Sequence, residues 1–481
     1  MFENLLYQNT SKLLIEDINK NMLPNSLLFS GPVGTGKLTA ALELARILSC
    51  KSEGRKKGEW TCSCSSCLKH KALTSTDVLI TGPRDCTLEI SAAKDAYLRA
   101  IESNSQYRVS TNYLFVRSVR KLTSRFNPVF YEGDDKVSKI SPYIQTIDEL
   151  LEEFDPLRPI EKLGDIEKIK KNAENLLTQC EKLESSFMYD SVPVSHIRNA
   201  SSWARFTTSS GKKVLIIENA DRMLEAVRNA LLKILEEPPE DTLFILTTSK
   251  RGAVMPTILS RVRTYPFIER SEEQNNDVIS RVFHDEGTNI NDYLCGFLPV
   301  SKEKIKELSV NFLTSINQGV FPKIDAISKE ANQFEPRVIL SIFLNNFFAV
   351  GKERLKTENF TKKDILFAEK QQVLLKAIKK CYENADDMAI VLADNVKDEE
   401  WEKILSGVEN DKEEYEKDIL INDSAEYMVE LNNFSDNGNG KYAAAFGHDD
   451  MVMAEVQLTF VKETLQYKLF KEEFEAGANI T

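Results

Sequence analysis

The sequence predicts an α/β fold, a parallel sheet flanked by helices, with a largely helical C-terminal half. Three observations carry that expectation. The apolar run Leu27-Leu28-Phe29 ends in a glycine-dense turn, and a helical pattern begins at once after Gly36. Val214-Leu215-Ile216-Ile217 and Leu243-Phe244-Ile245-Leu246 are unbroken apolar runs, of the kind buried on both faces of a parallel sheet, with a helical pattern between them. After Phe267 the strand signals fade and the chain reads as helix.

At 481 residues the chain exceeds what one core supports and implies about three domains. Its net charge of −12 argues against a protein that wraps nucleic acid by overall charge, while local basic patches remain open. Met1-Phe2-Glu3-Asn4 does not read as a secretory leader. The longest apolar window, Val338 to Val350, is interrupted by Asn345 and Asn346 and is too short to span a bilayer. A cytoplasmic chain with reduced thiols and no membrane association is expected.

Residues 5–22 read as a helix, with Leu13, Leu14 and Ile18 at helical spacing. Gly31, Pro32, Val33, Gly34, Thr35, Gly36 and Lys37 then satisfy the spacing G-x-x-x-x-G-K. Backbone amides of such a turn, with the following helix N-terminus, form a concave anion site, and the lysine reaches the outer phosphates. Leu38 stands where a serine or threonine usually holds magnesium, with Thr39 next. The loop therefore speaks for bound ATP or ADP and against magnesium-dependent hydrolysis. The plainer alternative is a strand-to-helix turn without a ligand.

The next helix carries Ala41, Leu44, Ala45 and Leu48 on one face and ends near Cys50. Cys50, Cys62, Cys64 and Cys67 follow closely, and four soft thiolates satisfy the tetrahedral demand of structural zinc. A chance group of inert thiols is the alternative. Cys86, Cys180, Cys295 and Cys381 are scattered and read as packing residues. Val78-Leu79-Ile80 reads as a short strand before Gly82-Pro83.

From about 92 to 190 the character changes. Tyr113 to Val119 reads as a strand. Leu163, Ile166, Ile169, Ala173, Leu176, Leu177, Cys180 and Leu183 recur at three and four, as in an amphipathic helix or half of a helical hairpin. Arg117, Arg120, Lys121 and Arg125 interleave with Phe115, Phe126 and Phe130. That is either a patch for phosphates and stacked bases or, more simply, a solvated face over a small core.

Glu218-Asn219-Ala220-Asp221 follows the strand 214–217, where an ATPase keeps its magnesium acid and catalytic glutamate. Glu218 is one methylene longer than the expected aspartate, and Asn219 takes no proton from water at neutral pH. Met223, Leu224, Val227, Leu231, Leu232 and Leu235 mark a helix stopped by Pro238-Pro239. The strand 243–246 ends in Thr247-Thr248-Ser249. Ser260-Arg261 closes the short helical segment Pro256–Leu259 before the strand 264–267. An arginine fixed there could reach a neighbour's γ-phosphate; the alternative is a surface salt bridge.

Residues 270–325 read as a small helical lid. Val338, Ile339, Ile342, Phe343 and Phe347 mark one long helix, and a second starts at the capping pattern Thr361-Lys362-Lys363-Asp364. Residues 397–441 are acidic and broken by Asn437-Gly438-Asn439-Gly440, and a last helix covers about 450 to 474.

Asn25 to Pro32, the cysteine group, Ile217 to Met223, Asn229 to Pro239 and Thr257 to Arg261 together resemble the bacterial DNA polymerase III clamp loader, an AAA+ family. The resemblance implies an AAA+ P-loop module over 1–268, with a zinc-binding insertion at 50–67 and a family-atypical insertion at about 92–190. A helical lid over 269–330 and an all-α collar for oligomerisation over 331–481 would follow. Members load the sliding clamp onto primed DNA. The gamma/tau branch is the ATP-hydrolysing motor and usually opens with Lys-Tyr-Arg-Pro. This chain opens Met1-Phe2-Glu3-Asn4-Leu5-Leu6, as delta-prime subunits commonly do, and those often have a degraded nucleotide site. By resemblance Arg261 is the arginine finger given in trans, Thr248 is the sensor, and Glu218 and Asn219 form a degenerate Walker B. Implied partners are gamma/tau, delta, the sliding clamp and, through the complex, primed DNA. Val262 replaces the family's usual cysteine. An active gamma/tau-type motor or a DNA-repair AAA+ ATPase is the alternative.

Overall fold

The computed structural model describes residues 1–317 apart from 53–57, 84, 156–165, 190 and 207–210, together with a few positions between 338 and 346. Five strands form one parallel sheet: β1 (Ser26–Ser30), β2 (Val78–Thr81), β3 (Lys213–Ile217), β4 (Thr242–Thr248) and β5 (Arg263–Pro266), in the order β2-β3-β4-β1-β5. Leu28 lies level with Leu246 and Thr264, and Leu215 with Leu79 and Phe244. The expected α/β layer is thus present, with every predicted strand of the sheet in place.

Thirteen α-helices are assigned among the described residues. They are α1 (Thr10–Asn19), α2 (Lys37–Leu48), α3 (Ser65–Lys71), α4 (Thr87–Glu102), α5 (Arg108–Thr123), α6 (Val137–Glu153) and α7 (Ile166–Phe187). After these come α8 (Val194–Ala204), α9 (Glu225–Glu236), α10 (Pro256–Leu259), α11 (Glu272–Phe283), α12 (Ile290–Cys295) and α13 (Lys302–Asn317).

Because successive strand residues point to opposite faces, the apolar runs feed two cores. Leu27, Phe29, Val214, Ile216, Leu243, Ile245 and Tyr265 pack with α2 residues Leu38, Ala41, Leu44 and Ala45. Leu28, Leu215, Ile217, Phe244 and Leu246 pack on the other face with residues of α4 to α9. The 92–190 stretch therefore extends the main core. Phe115, Phe126, Phe130, Phe154, Leu176 and Leu183 are all buried in the cluster that contains Leu28.

Two local expectations are corrected. Tyr113 to Val119 is helical, within α5, and not a strand. Its aromatic and β-branched residues suit a strand, but Phe115, Val116, Val119 and Leu122 share one helical face and bury it. The N-terminal helix begins at Thr10, because residues before it turn instead. Phe2 and Tyr7 take positive φ, and Phe2 and Leu5 are buried beside Leu38. Leu14 is buried as expected, while Leu13 faces solvent.

The amphipathic helix within the insertion is α7, which buries Ile169, Ala173, Leu176, Leu177, Cys180 and Leu183. It shares its core with Ile140, Ile147 and Leu151 of α6. Leu163 lies outside the described residues. The interleaved basic residues are neither a solvated face nor a base-stacking patch. Phe115, Phe126 and Phe130 are core, Arg117 donates to Lys71 O at 2.9 Å, and Arg120 donates to Ala72 O at 2.8 Å. Lys121 pairs with Glu89, and Arg125 is fully buried.

A first compact unit runs from Met1 to Phe297 and holds α1 to α12; a second begins at Leu298 with α13. Within the second unit, Ser309 Oγ donates to Phe343 O at 3.0 Å, and Ile339 and Phe343 are buried. The helix expected from Thr361, the acidic stretch 397–441, the last helix at 450–474 and Cys381 lie outside the described residues. Among the described residues no helix is long and apolar enough to cross a membrane.

Candidate nucleotide site and metal centre

In a parallel sheet, loops at the carboxyl ends of strands share one edge, and ligands of α/β proteins bind there. β1 ends in the predicted phosphate loop, and Lys37 begins α2. Gly34 and Gly36 take positive φ of 77° and 92°, which turns the chain sharply into the helix N-terminus. Lys37 Nζ donates to Gly31 O at 2.6 Å and Pro32 O at 2.5 Å, so the ammonium sits over its own loop. Thr35 Oγ1 donates to Pro32 O at 2.8 Å, and Leu38 is buried in the α2 core.

Two residues that the sequence did not flag lie against this loop, and one of them is bonded to it. Arg270, just beyond β5, is buried and donates to Gly34 O at 2.7 Å, Thr35 O at 3.1 Å and Leu6 O at 3.1 Å. Burial lowers its pKa from the usual arginine value. Asn291 of α12 lies over the loop: a Cβ added at Gly34 would sit 3.2 Å from Asn291 Oδ1. Nothing local marks either residue, since both contacts link distant stretches of chain.

The neighbouring acid ridge is built differently. Glu218 leaves β3 nearly buried, and its carboxylate forms an ion pair with the guanidinium of Arg125, itself 0% exposed. Asn219 adopts the left-handed conformation, φ 51° and ψ 52°, and its Nδ2 donates to Pro83 O at 2.5 Å. Gly82 is required here, because a Cβ at that position would lie 2.4 Å from Glu218 O. Thr248 at the end of β4 is buried and donates through Oγ1 to Asp221, while accepting from Lys250 N at 3.0 Å. Its carbonyl accepts from Gly31 N at 3.2 Å, which ties the ridge strand to the phosphate loop. The residues fit magnesium poorly. The hydroxyl position is a buried leucine, the acid is already paired with an arginine, and the would-be base is an amide on a carbonyl.

Arg261 follows α10. Its guanidinium donates to Thr257 O at 2.8 Å and pairs with Glu236 at 2.5 Å; the two side chains are 31% and 52% exposed. The surface-pair alternative is therefore present in this state of the chain. Exposed pairs of this kind contribute only about 0–1 kcal/mol, so a stronger anion can take the arginine.

The four cysteines expected to bind a metal do come together. Their sulfurs all lie within 4.8 Å of one another, with Cys50 and Cys62 Sγ at 3.7 Å. Four thiolates at about 2.3 Å from one tetrahedral zinc ion would show just such spacing, so the donor set suits zinc. Cys64 caps α3, its sulfur accepting from Cys67 N at 3.4 Å. Burial pushes the Cys64 thiol up, but backbone amides and neighbouring thiols bring it down to about 6. Cys67 is raised instead, chiefly by burial.

The cluster is anchored to the phosphate-loop helix by a residue not singled out from the sequence. Arg46 of α2 is buried, forms a two-point pair with buried Glu43 at 2.9 and 2.5 Å, and donates to Cys67 Sγ at 3.3 Å. It also holds Gly58 O and Glu59 O. The available signal was a charged pair three apart inside an otherwise apolar helix.

The family model for DNA polymerase III, delta subunit, matches residues 7–149 and 158–271, more than half of the 481 residues. The DNA polymerase III subunit delta' of Bacillus subtilis is 47% identical over 58 residues, 12% of this chain and 18% of that protein. The subunit gamma/tau of Mycobacterium tuberculosis is 39% identical over 80 residues, 17% of this chain and 14% of that one. The chain thus spans less than a fifth of the length of either relative. A gamma subunit-related protein of Thermotoga maritima aligns over 52% of this chain and 90% of its own, at 17% identity and a TM-score of 0.22, too low to bear on the fold. The family match takes in the phosphate loop, the cysteine cluster, the acid ridge and Arg261, and on it the chain belongs to the DNA polymerase III delta-subunit family of clamp-loader proteins.

Proposed function

We propose that this chain is a delta-prime-like subunit of a DNA polymerase III clamp loader that holds nucleotide but turns it over poorly or not at all. The observation that carries the reading is the state of the acid ridge: Glu218 is committed to Arg125, and Asn219 to Pro83 O. The loop amides from Gly34 to Leu38 and the helix N-terminus would receive the phosphates of ATP or ADP, and Lys37 would exchange two loop carbonyls for phosphate oxygens. At the position where a general base would stand, Asn219 has no basic site and takes no proton from water. Thr248, the sensor position, is joined to Asp221.

The chain's contribution to hydrolysis is then an arginine lent across a subunit boundary. Arg261 would leave Glu236 for the γ-phosphate in a neighbouring gamma/tau subunit, where a trans arginine stabilises developing charge. Zinc in the Cys50, Cys62, Cys64 and Cys67 cluster would be structural, all four positions being taken by sulfur. Module, lid and collar would divide near 268 and 330, the collar joining gamma/tau and delta, with the sliding clamp and primed DNA engaged by the complex in the cytoplasm.

Reconstitution tests this. Arg261→Ala should leave the chain folded and lower the assembled loader's ATPase by the share of the one site that the arginine would complete, where a lost finger costs about 10³-fold or more. An unchanged rate would remove the finger. The second reading, an active gamma/tau-type motor or DNA-repair ATPase, is favoured by the intact loop glycines and Lys37. It requires brisk turnover by the isolated chain that Lys37→Ala abolishes.

A further inference from the structure

We propose that Arg125, brought in by the helical insertion, is the fixed cation of the acid ridge and makes nucleotide binding at the phosphate loop independent of magnesium. The inference rests on the nucleotide reading of that loop. It also gives the insertion a task at the site.

Arg125 lies in the 3-10 turn Ser124–Phe126 that continues α5, between core residues Leu122 and Phe126. The flanking side chains fix its backbone, and its guanidinium donates to Lys121 O as well as to the Glu218 carboxylate. The far end of the insertion reaches the same edge. Tyr189, just past α7, shares a 2.6 Å hydrogen bond with Thr81 Oγ1 and accepts from Gly82 N at 3.1 Å. Gly82 in turn is pressed against the Glu218 backbone. Two parts of the insertion, the turn after α5 and the segment after α7, therefore converge on the carboxyl ends of β2 and β3.

A magnesium ion beside nucleotide phosphates is held by a ridge carboxylate and by the hydroxyl after the loop lysine. Here the hydroxyl is replaced by buried Leu38, and the carboxylate already faces a full positive charge. For magnesium to take Glu218 it would have to displace a fully buried guanidinium and strand it without a counter-charge.

The test is a fluorescence titration of the full chain with a fluorescent ADP analogue, with magnesium and in magnesium-free buffer, with no strong chelator that would strip the cysteine cluster. The two Kd values should agree within about twofold, and tightening by about tenfold or more with magnesium would overturn the proposal. Absence of binding in both buffers would instead overturn the nucleotide reading, and this inference with it. Arg125→Met should introduce magnesium dependence of about tenfold, whereas Arg125→Lys, which keeps the charge, should not. If Arg125→Met binds equally well in both buffers, Arg125 is not the cause. If that variant fails to fold, wild-type binding that tightens about tenfold or more with magnesium still overturns the proposal.

Discussion

Two neighbouring parts of one sheet edge have been treated in opposite ways. At the end of β1 the chain keeps a glycine turn, a lysine folded over it and the N-terminus of α2. One strand beyond its neighbour β4, at the end of β3, the acid is sealed by an arginine and the next residue is an amide. On the proposed reading, binding and hydrolysis are separable in this architecture. The first needs only backbone and one cation, whereas the second needs an open carboxylate that can reach metal and water.

Breaking the cysteine cluster should have the largest effect. Cys67→Ser should remove about one equivalent of zinc, measured by metal analysis, and lower the melting temperature by roughly 15 °C or more, since structural zinc sites contribute folding free energy outright. Because Arg46 joins Cys67 to α2, nucleotide affinity should fall too, a sign that loop and cluster are one rigid body. Next comes the ridge. Glu218→Ala should destabilise by about 3–5 kcal/mol in urea unfolding, because it leaves Arg125 buried without its partner. Nucleotide affinity should change little. The loop should give the reverse pattern: Lys37→Ala should cost about 100-fold in nucleotide affinity, the worth of a charge-assisted contact, with stability nearly unchanged. Were both variants to lose affinity and stability together, the separation of the two regions would not hold.

The smallest expected effect is a pH dependence within the insertion. Glu184 of α7 accepts from Cys86 N at 2.6 Å and Thr87 N at 2.9 Å, fixing the start of α4. Burial, reinforced by Asp85, nevertheless pushes its carboxyl up to about 7 from an ordinary value of 4.5. The folded state therefore holds a proton that the unfolded state releases, and this contribution to stability is lost as pH rises from 4.5 through about 7. Glu184→Gln should flatten the melting-temperature profile across that window, and an unchanged slope would point to another group.

What the sequence made legible was local. The sheet could be read because each strand is a contiguous apolar run, and the cysteine cluster because its ligands lie close together in the chain. The loop could be read because its spacing is its mechanism. The α5 region could not: Tyr113 to Val119 carries strand-forming residues, and only packing of Phe115, Val116, Val119 and Leu122 against the sheet decides for helix. Nor could the partner of Glu218, because Arg125 stands 93 residues away and looked like one of several surface cations. Arg270 was hidden for the same reason, its contacts reaching back more than 230 residues to the loop. Long-range electrostatic pairs leave no periodicity, and they decide here what the site can do.

The most direct test of the account measures nucleotide binding and steady-state ATPase on the same preparation of the isolated chain. The account predicts saturable ADP binding, with ATP turnover indistinguishable from that of Lys37→Ala. Turnover at or above about 1 per second, in the ordinary enzyme range and abolished by Lys37→Ala, would contradict it.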